Sequence, residues 1–190
     1  MNTSVGVLAF QGDFQRHLSV VRELGWDALP VRRPEEVAGL RGLVIPGGES
    51  TTIGLLITRF GLLEAIESAV AEGMAVMGTC AGAILLSREI AGSDQPRLGI
   101  LDTEIQRNAY GRQVDSFEAD VSIPLLGAEP IRGVFIRAPR YLRCGPAVEV
   151  LASFEDSPVV VREGRHLALT FHPELTKDTR IHEYFLNNLV

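Results

Sequence analysis

Short aliphatic segments alternate with helical segments in the first half of the chain, and this alternation restricts the possible folds more than any other feature. Four such segments are predicted strands: Val5–Phe10, Trp26–Val31, Gly42–Ile45 and Ala75–Gly78. Strands that alternate with helices form βαβ units and build a mainly parallel sheet. The sequence therefore predicts an α/β fold around such a sheet.

The remaining segments are consistent with this fold. The predicted helices run over Phe14–Leu24, Thr52–Glu72, Gly82–Ile90 and Asp178–Leu189. Ser50 or Thr51 is expected to cap the second helix, which Gly61 can interrupt. The second half contains β-like runs separated by turn residues: Leu98–Gln106, Gln113–Ser122, Gly133–Arg137, Val148–Phe154, Val159–Arg162 and His166–Phe171. We expect these strands to extend or decorate the same sheet, so that residues 1–190 form one domain.

Composition excludes several classes of function. The chain has 190 residues and a net charge of −6, whereas proteins that bind nucleic-acid backbones need a cationic surface. No apolar run approaches the ~20 residues of a membrane helix, and the N-terminus lacks the pattern of a signal peptide. The two cysteines, Cys80 and Cys144, are too few for a disulfide framework. We therefore expect a cytoplasmic protein with free thiols, no nucleic-acid partner and no membrane partner.

The sequence Gly78-Thr79-Cys80-Ala81-Gly82 joins a predicted strand to a predicted helix. A nucleophile between two such glycines is typical of a nucleophile elbow, a sharp turn that exposes the side chain above the sheet. The helix that begins there directs its positive end at the sulfur, which favours the thiolate. Cys80 is thus a candidate nucleophile, and the alternative is a buried cysteine in a glycine-rich turn. Cys144 lies in a turn-like stretch without a nearby base, and we interpret it as incidental.

A nucleophilic cysteine needs a base, and the base needs a group that orients it. His172 stands at the end of a predicted strand, and Glu174 follows two residues later. Residues at this spacing share one face of an extended segment, so the carboxylate can fix the imidazole tautomer. The pattern predicts a Cys-His-Glu triad. A histidine in the core or on the surface without a catalytic role is the alternative.

The segment Pro46-Gly47-Gly48-Glu49-Ser50 follows the third predicted strand, on the same edge of the sheet as Cys80. Its glycines let backbone N–H groups approach a ligand closely. The N–H groups of Gly48 and Ala81 are therefore the predicted oxyanion hole. A simple turn is the alternative, and no Gly-Lys-Ser/Thr ending supports a phosphate-binding loop.

With these motifs in place, the chain resembles the class I, triad-type glutamine amidotransferases. Seven stretches narrow the resemblance to the glutaminase subunits of pyridoxal 5′-phosphate synthase: GVLAFQG (6–12), PGGESTTI (46–53), GTCAGAILL (78–86), AGSDQP (91–96), RNAYGRQVDSFEAD (107–120), GVFIRAP (133–139) and TFHPELT (170–176). The resemblance implies a single-domain, three-layer, flavodoxin-like sandwich with a mainly parallel central sheet.

The resemblance also implies an activity and a set of residues. Glutamine is hydrolysed to glutamate and ammonia without a metal or cofactor, with Cys80, His172 and Glu174 as the triad. A separate synthase subunit, joined in a large hetero-oligomer, accepts the ammonia and makes the vitamin B6 cofactor. Glutamine is held by residues that match the family motifs: Gly48, Glu49, Ser50, Arg107, Ile136 and Arg137.

Several alternatives stay open on the sequence alone. Arg107 and Arg137 could form surface salt bridges instead of gripping a carboxylate. The chain could deliver ammonia to a different acceptor, or could be a cysteine peptidase or a redox sensor on a similar sheet. A regulatory subunit with a decayed triad is the non-enzymatic alternative, and the intact Cys80, His172 and Glu174 argue against it.

Overall fold

The computed structural model describes residues 4–109 and 116–190. Its centre is a seven-stranded sheet in the order β10-β11-β12-β4-β3-β1-β2. The strands of this sheet are β1 (Ser4–Leu8), β2 (Asp27–Val31), β3 (Gly42–Ile45), β4 (Ala75–Thr79), β10 (Glu149–Phe154), β11 (Ser157–Glu163) and β12 (His166–Leu169). The first four and β12 run parallel, and β10 and β11 add an antiparallel edge.

Five helices and two small sheets cover the two faces of the central sheet within the described ranges. The helices are α1 (Phe14–Glu23), α2 (Ser50–Arg59), α3 (Leu62–Ala71), α4 (Ala81–Leu86) and α5 (Arg180–Asn188). One small sheet joins β5 (Ser87–Ile90), β6 (Leu101–Gln106) and β9 (Arg140–Cys144). The other pairs β7 (Ser116–Val121) with β8 (Ile131–Ile136).

Alternation along the buried strands divides the core into two apolar layers, one on each side of the sheet. Val5 and Val7 of β1 pack with α1, α5 and the β7–β8 pair on one face. Leu43 and Ile45 of β3 pack with α2, α3, α4 and the three-stranded sheet on the other face. The predicted three-layer arrangement with a mainly parallel sheet is therefore present.

Two predicted boundaries in the α/β half are wrong. The helix expected over Gly82–Ile90 ends at Leu86, because Ser87 turns into β5 and pairs with β6. Glu49, not Ser50 or Thr51, is the N-cap of α2: its carboxylate accepts a hydrogen bond from the N–H of Thr52 at 3.1 Å. The expected break at Gly61 is confirmed, since this residue has a φ of 70° between α2 and α3.

The second half also departs from the sequence prediction at one strand. Cys144 ends β9 and does not lie in a turn. The expected strand Gln113–Ser122 begins partly outside the described residues, and its described part is β7. Within the two described ranges, none of the helices has the length and apolar character needed to cross a membrane.

Candidate active site

Cys80 lies at the sharp turn between β4 and α4. Its φ of 50° and ψ of −101° form a conformation that residues with a side chain rarely adopt. A side chain at Gly78 or Gly82 would collide with neighbouring backbone, so this turn needs both glycines. The N–H of Cys80 donates to Leu169 of β12 at 2.8 Å, and its Sγ lies 3.8 Å from the carbonyl oxygen of Ile136. The local backbone therefore holds the sulfur at the carboxyl edge of the sheet.

His172 follows β12 and lies beside Cys80. Its N–H donates to the carbonyl of Val134 at 2.9 Å, which ties this segment to β8. A short 3₁₀ turn over Pro173–Leu175 then brings Glu174 back, and Oε1 of Glu174 lies 2.8 Å from Nδ1 of His172. The imidazole lines the same cavity as the Cys80 thiol and interacts with it electrostatically. The structure thus brings together the three residues that the sequence predicts as a triad.

The protonation of this trio follows from its contacts. Burial alone would lower the pKa of His172, but the hydrogen bonds with Cys80 and Glu174 outweigh it and raise the pKa to about 10. Burial alone would raise the pKa of Glu174, yet contacts with His17 and His172 hold it well below its usual range. At neutral pH the site therefore favours an imidazolium next to an ionised carboxylate.

The glycine loop after β3 packs directly on His172. A Cβ atom at residue 47 would overlap the imidazole ring, so only glycine allows this close approach. Gly48 has a φ of 148°, and the N–H of Glu49 donates to the side-chain oxygen of Gln11 at 3.1 Å. Ala81, next to Cys80, is the first residue of α4, and the N–H groups of a first turn lack acceptors within the helix.

Arg107 connects the glycine loop to a buried glutamine. Its guanidinium lies 2.6 Å from the Glu49 carboxylate, 2.8 Å from the Thr51 hydroxyl and 2.9 Å from Oε1 of Gln95. Gln95 is 7% exposed, and its Oε1 also accepts from Thr51 and from buried Ser50. Arg107 therefore does form a salt bridge, as the alternative interpretation expected, but its partner Glu49 is itself a predicted binding residue. No sequence pattern predicts a role for Gln95, although this residue lies in the family stretch AGSDQP.

A cavity of about 310 Å³ joins these groups. Its lining includes the predicted site residues Gly48, Glu49, Ser50, Cys80, Ala81, Arg107, Ile136, Arg137 and His172. Glu174 lies behind His172, out of the lining. Arg137 follows β8 with a φ of 43° and is exposed. The residues that line the cavity therefore carry a thiol, an imidazole, two guanidinium groups and, on Asp13 and Glu49, two carboxylates.

Cys144 lies outside the lining of the cavity. Cys144 is half-buried at the end of β9, and burial raises the pKa of its thiol. Arg112, which belongs to the stretch RNAYGRQVDSFEAD, lies outside the described residues. Neither the position nor the protonation of Cys144 indicates a role in the cavity.

Comparison with known proteins gives consistent results. The model of the SNO glutamine amidotransferase family matches residues 7–190. A pyridoxal 5′-phosphate synthase subunit PdxT from Pelotomaculum thermopropionicum is 56% identical over 98% of this chain and 95% of its own length. A protein of the same name from Thermus thermophilus is 55% identical over 98% of this chain and 97% of its own length.

Solved structures show the same similarity. A crystal structure of a glutamine amidotransferase superposes with a TM-score of 0.91 at 53% identity and covers 96% of both chains. A second glutamine amidotransferase, from Thermotoga maritima, gives a TM-score of 0.63 at 16% identity, over 97% of this chain and 83% of its own, which shows the fold alone. The predicted fold class is confirmed.

Proposed function

Because this chain belongs to the SNO glutamine amidotransferase family, we propose that it hydrolyses L-glutamine for pyridoxal 5′-phosphate synthase. Relatives that are 50–56% identical carry the name of that synthase's PdxT subunit. The products are L-glutamate and ammonia, and the ammonia passes to a separate synthase subunit. Residues 1–190 act as one glutaminase domain, with both layers of its core packed on the same central sheet.

One observation carries the proposal: the thiol, the imidazole and the carboxylate adjoin one another at one edge of the sheet. His172 holds the proton given up by Cys80 as an imidazolium before glutamine binds, and the Cys80 thiolate attacks the side-chain amide carbon of glutamine. The resulting imidazolium protonates the departing ammonia, which leaves a γ-glutamyl thioester on Cys80. His172 then takes a proton from water, the hydroxide attacks the thioester, and glutamate leaves as the thiol recovers its proton. Glu174 keeps Nδ1 of His172 in donor orientation throughout.

Two N–H groups serve as the oxyanion hole in this mechanism. Ala81 offers the N–H at the start of α4, and Gly48, which lines the same cavity, offers the second. Removing one such donor typically costs about 3–4 kcal/mol of transition-state stabilisation. The unusual φ of Gly48 leaves the 47–48 peptide free to take either orientation. We expect docking of the synthase to turn this peptide toward the oxyanion.

The charges at the mouth of the cavity fit the zwitterionic end of glutamine. A guanidinium matches a carboxylate in shape and charge, so Arg107 or Arg137 binds the α-carboxylate. The Glu49 carboxylate, which is exposed next to Arg107, accepts from the α-ammonium. The carbonyl of Ile136 and the Ser50 segment complete the wall, and the side-chain amide then extends toward Cys80.

Ammonia release from glutamine tests this function. We expect turnover by the purified chain, a higher rate when the synthase is added, and loss of turnover in Cys80→Ala. Cys144→Ala is the matched control and keeps the wild-type rate, because that thiol lies outside the cavity. Equal rates with and without the synthase would contradict the gating of the 47–48 peptide. Full turnover by Cys80→Ala would contradict the proposed chemistry.

The partner and the location follow from the same proposal. The synthase docks around the glycine loop and the carboxyl edge of the sheet, near Gln11 and Glu49, because ammonia must pass to it without reaching water. The resemblance to pyridoxal 5′-phosphate synthase subunits supports a large hetero-oligomer as the form of the complex. Both cysteines carry free thiols, which fits the reducing environment of the cytoplasm.

A further inference from the structure

Two buried histidines extend the polar contacts of the triad away from the cavity. His17 of α1 is fully buried, and its Nε2 lies 3.3 Å from Oε2 of Glu174; the two atoms are close but are not aligned as a hydrogen bond in the described structure, and neither has another partner there. His182 of α5 is 1% exposed, and its Nε2 lies 2.9 Å from Nδ1 of His17. The mechanism proposed above uses neither residue. Oε1 of Glu174 therefore contacts His172, while Oε2 points at a second imidazole.

The positions of the protons follow from these two contacts. A bare Nε2 on His17 would direct its lone pair at a buried carboxylate oxygen, which is unfavourable, so this nitrogen carries a proton. Burial above all lowers the pKa of His182 to about 3, so His182 is neutral. If Nε2 of His182 donates to Nδ1 of His17, then Nδ1 of His182 is the bare nitrogen, and it has no partner among the described residues. The hydrogen bonds then run in one direction, from His182 to His17 to Glu174.

We infer that His17 is a positioning residue for glutamine hydrolysis, which donates its Nε2–H to the Glu174 carboxylate while His182 holds it in that tautomer. The inference rests on the proposed function, because it assigns His17 to the same triad. His17 touches neither the substrate nor the sulfur; it acts through Glu174 on the orientation of His172. The carboxylate thus accepts from an imidazole on each side.

The alternative is that the two histidines only fill the core. Buried polar groups cost free energy unless they are paired, and leucine would fill the same space without that cost. The contact between His17 and Glu174 also contributes, with that of His172, to the low pKa of the buried carboxyl. The two interpretations differ in whether residue 17 must donate a hydrogen bond to Glu174. Replacing His17 with a residue that lacks a donor therefore distinguishes a positioning role from simple filling of the core.

Four variants of the full chain test the inference in complex with the synthase. His17→Leu removes the donor, and His17→Gln keeps an amide N–H near the position of Nε2. His17→Leu with His182→Leu removes both polar groups, so that no unpaired imidazole destabilises the fold. His166→Leu is the control, since His166 lies at the other end of β12 from Cys80.

We expect kcat for glutamine to fall roughly 10- to 100-fold in His17→Leu and in the double variant, the loss typical of removing a hydrogen bond to a charged group. KM changes little, because the cavity lining is intact. His17→Gln recovers most of kcat, and His166→Leu keeps the wild-type value. Equal kcat in the wild type and the double variant would overturn the inference. It would also be overturned if His17→Gln had no higher kcat than His17→Leu while the two variants were equally stable in urea.

A second measurement does not depend on turnover. In ¹H NMR spectra of the wild-type chain with ¹⁵N-labelled histidine, we expect imidazole N–H signals far downfield from His172 and His17, both bonded to Glu174. His17→Leu removes one signal and shifts the other, and an unshifted His172 signal would overturn the inference. A wild-type complex that releases no ammonia would refute the proposed function, while these spectra would still decide whether His17 donates to Glu174.

Discussion

Replacing Gly47 by alanine tests whether the glycine loop sets the position of the catalytic imidazole. A Cβ atom at residue 47 would lie 3.0 Å from Nδ1 and 3.2 Å from Nε2 of His172, and closer still to Cε1. Attractive contacts between carbon atoms occur at about 3.5–4.0 Å. The imidazole or the loop must therefore move by roughly 1 Å. The hydrogen bond to Glu174 and the interaction with Cys80 both depend on that position.

A displacement of this size costs about 100-fold in rate when it misaligns catalytic groups. We expect Gly47→Ala to lower kcat by roughly that factor, with a smaller change in KM, in a steady-state assay of ammonia release with saturating synthase. Gly42→Ala is the control at the other end of β3. Its Cβ would meet the side chain of the terminal Val190, which can move aside, so kcat stays near the wild-type value. A Gly47→Ala enzyme within twofold of wild type would refute the packing argument.

Three further changes test separate parts of the account. Cys80→Gly relieves a backbone conformation that only glycine adopts easily, so urea unfolding should show a gain of ~1 kcal/mol in stability with no turnover; a gain of the same size in Cys80→Ala would contradict this origin. Because burial lowers the pKa of His182, the unfolded chain binds a proton on this residue that the folded chain does not bind. The free energy of unfolding therefore falls as the pH drops from 6.5 to about 3. Urea unfolding across that pH range should show that His182→Leu loses less unfolding free energy than the wild type, by up to about 4 kcal/mol. An equal loss in both proteins would contradict this role of His182. Gln95→Leu frees the guanidinium of Arg107, so KM for glutamine should rise about 10-fold with kcat little changed; an unchanged KM would exclude Gln95 from glutamine binding.

The parts of the fold that the sequence predicts best depend on local chemistry. β3 has the predicted bounds, because its apolar run is fully buried and Pro46 ends it. The turn at Cys80 is equally readable, since the glycines on both sides are required by backbone contacts within a few residues and with β3. The contact between His172 and Glu174 is also predicted, but a 3₁₀ turn over Pro173–Leu175 makes it, and the extended segment expected from the spacing is wrong.

The parts that the sequence does not predict depend on partners far along the chain. Arg140–Cys144 has few apolar residues, and it becomes β9 only because β6 pairs with it. The helix expected to continue to Ile90 stops early because pairing between β5 and β6 outweighs the local helical preference. In both cases tertiary pairing overrides the local pattern.

The site shows the same division. The sequence predicts Cys80, His172 and Glu174 as a group, because their residue types and spacings are typical of a catalytic triad. It does not identify Gln95 or His17, since a buried glutamine and a helical histidine have no special pattern around them. Gln95 contacts Arg107, 12 residues away along the chain, and His17 contacts His182, 165 residues away. Only the folded chain brings these partners together.

The most direct test of the central claim is to look for the covalent intermediate on Cys80. The complex with the synthase is quenched in acid during glutamine turnover, and the digested chain is analysed by mass spectrometry. We predict a γ-glutamyl group on the peptide that contains Cys80, formed during turnover and absent without glutamine. Steady hydrolysis of glutamine by a Cys80→Ala chain, with no adduct on Cys80 in the wild type, would contradict the account.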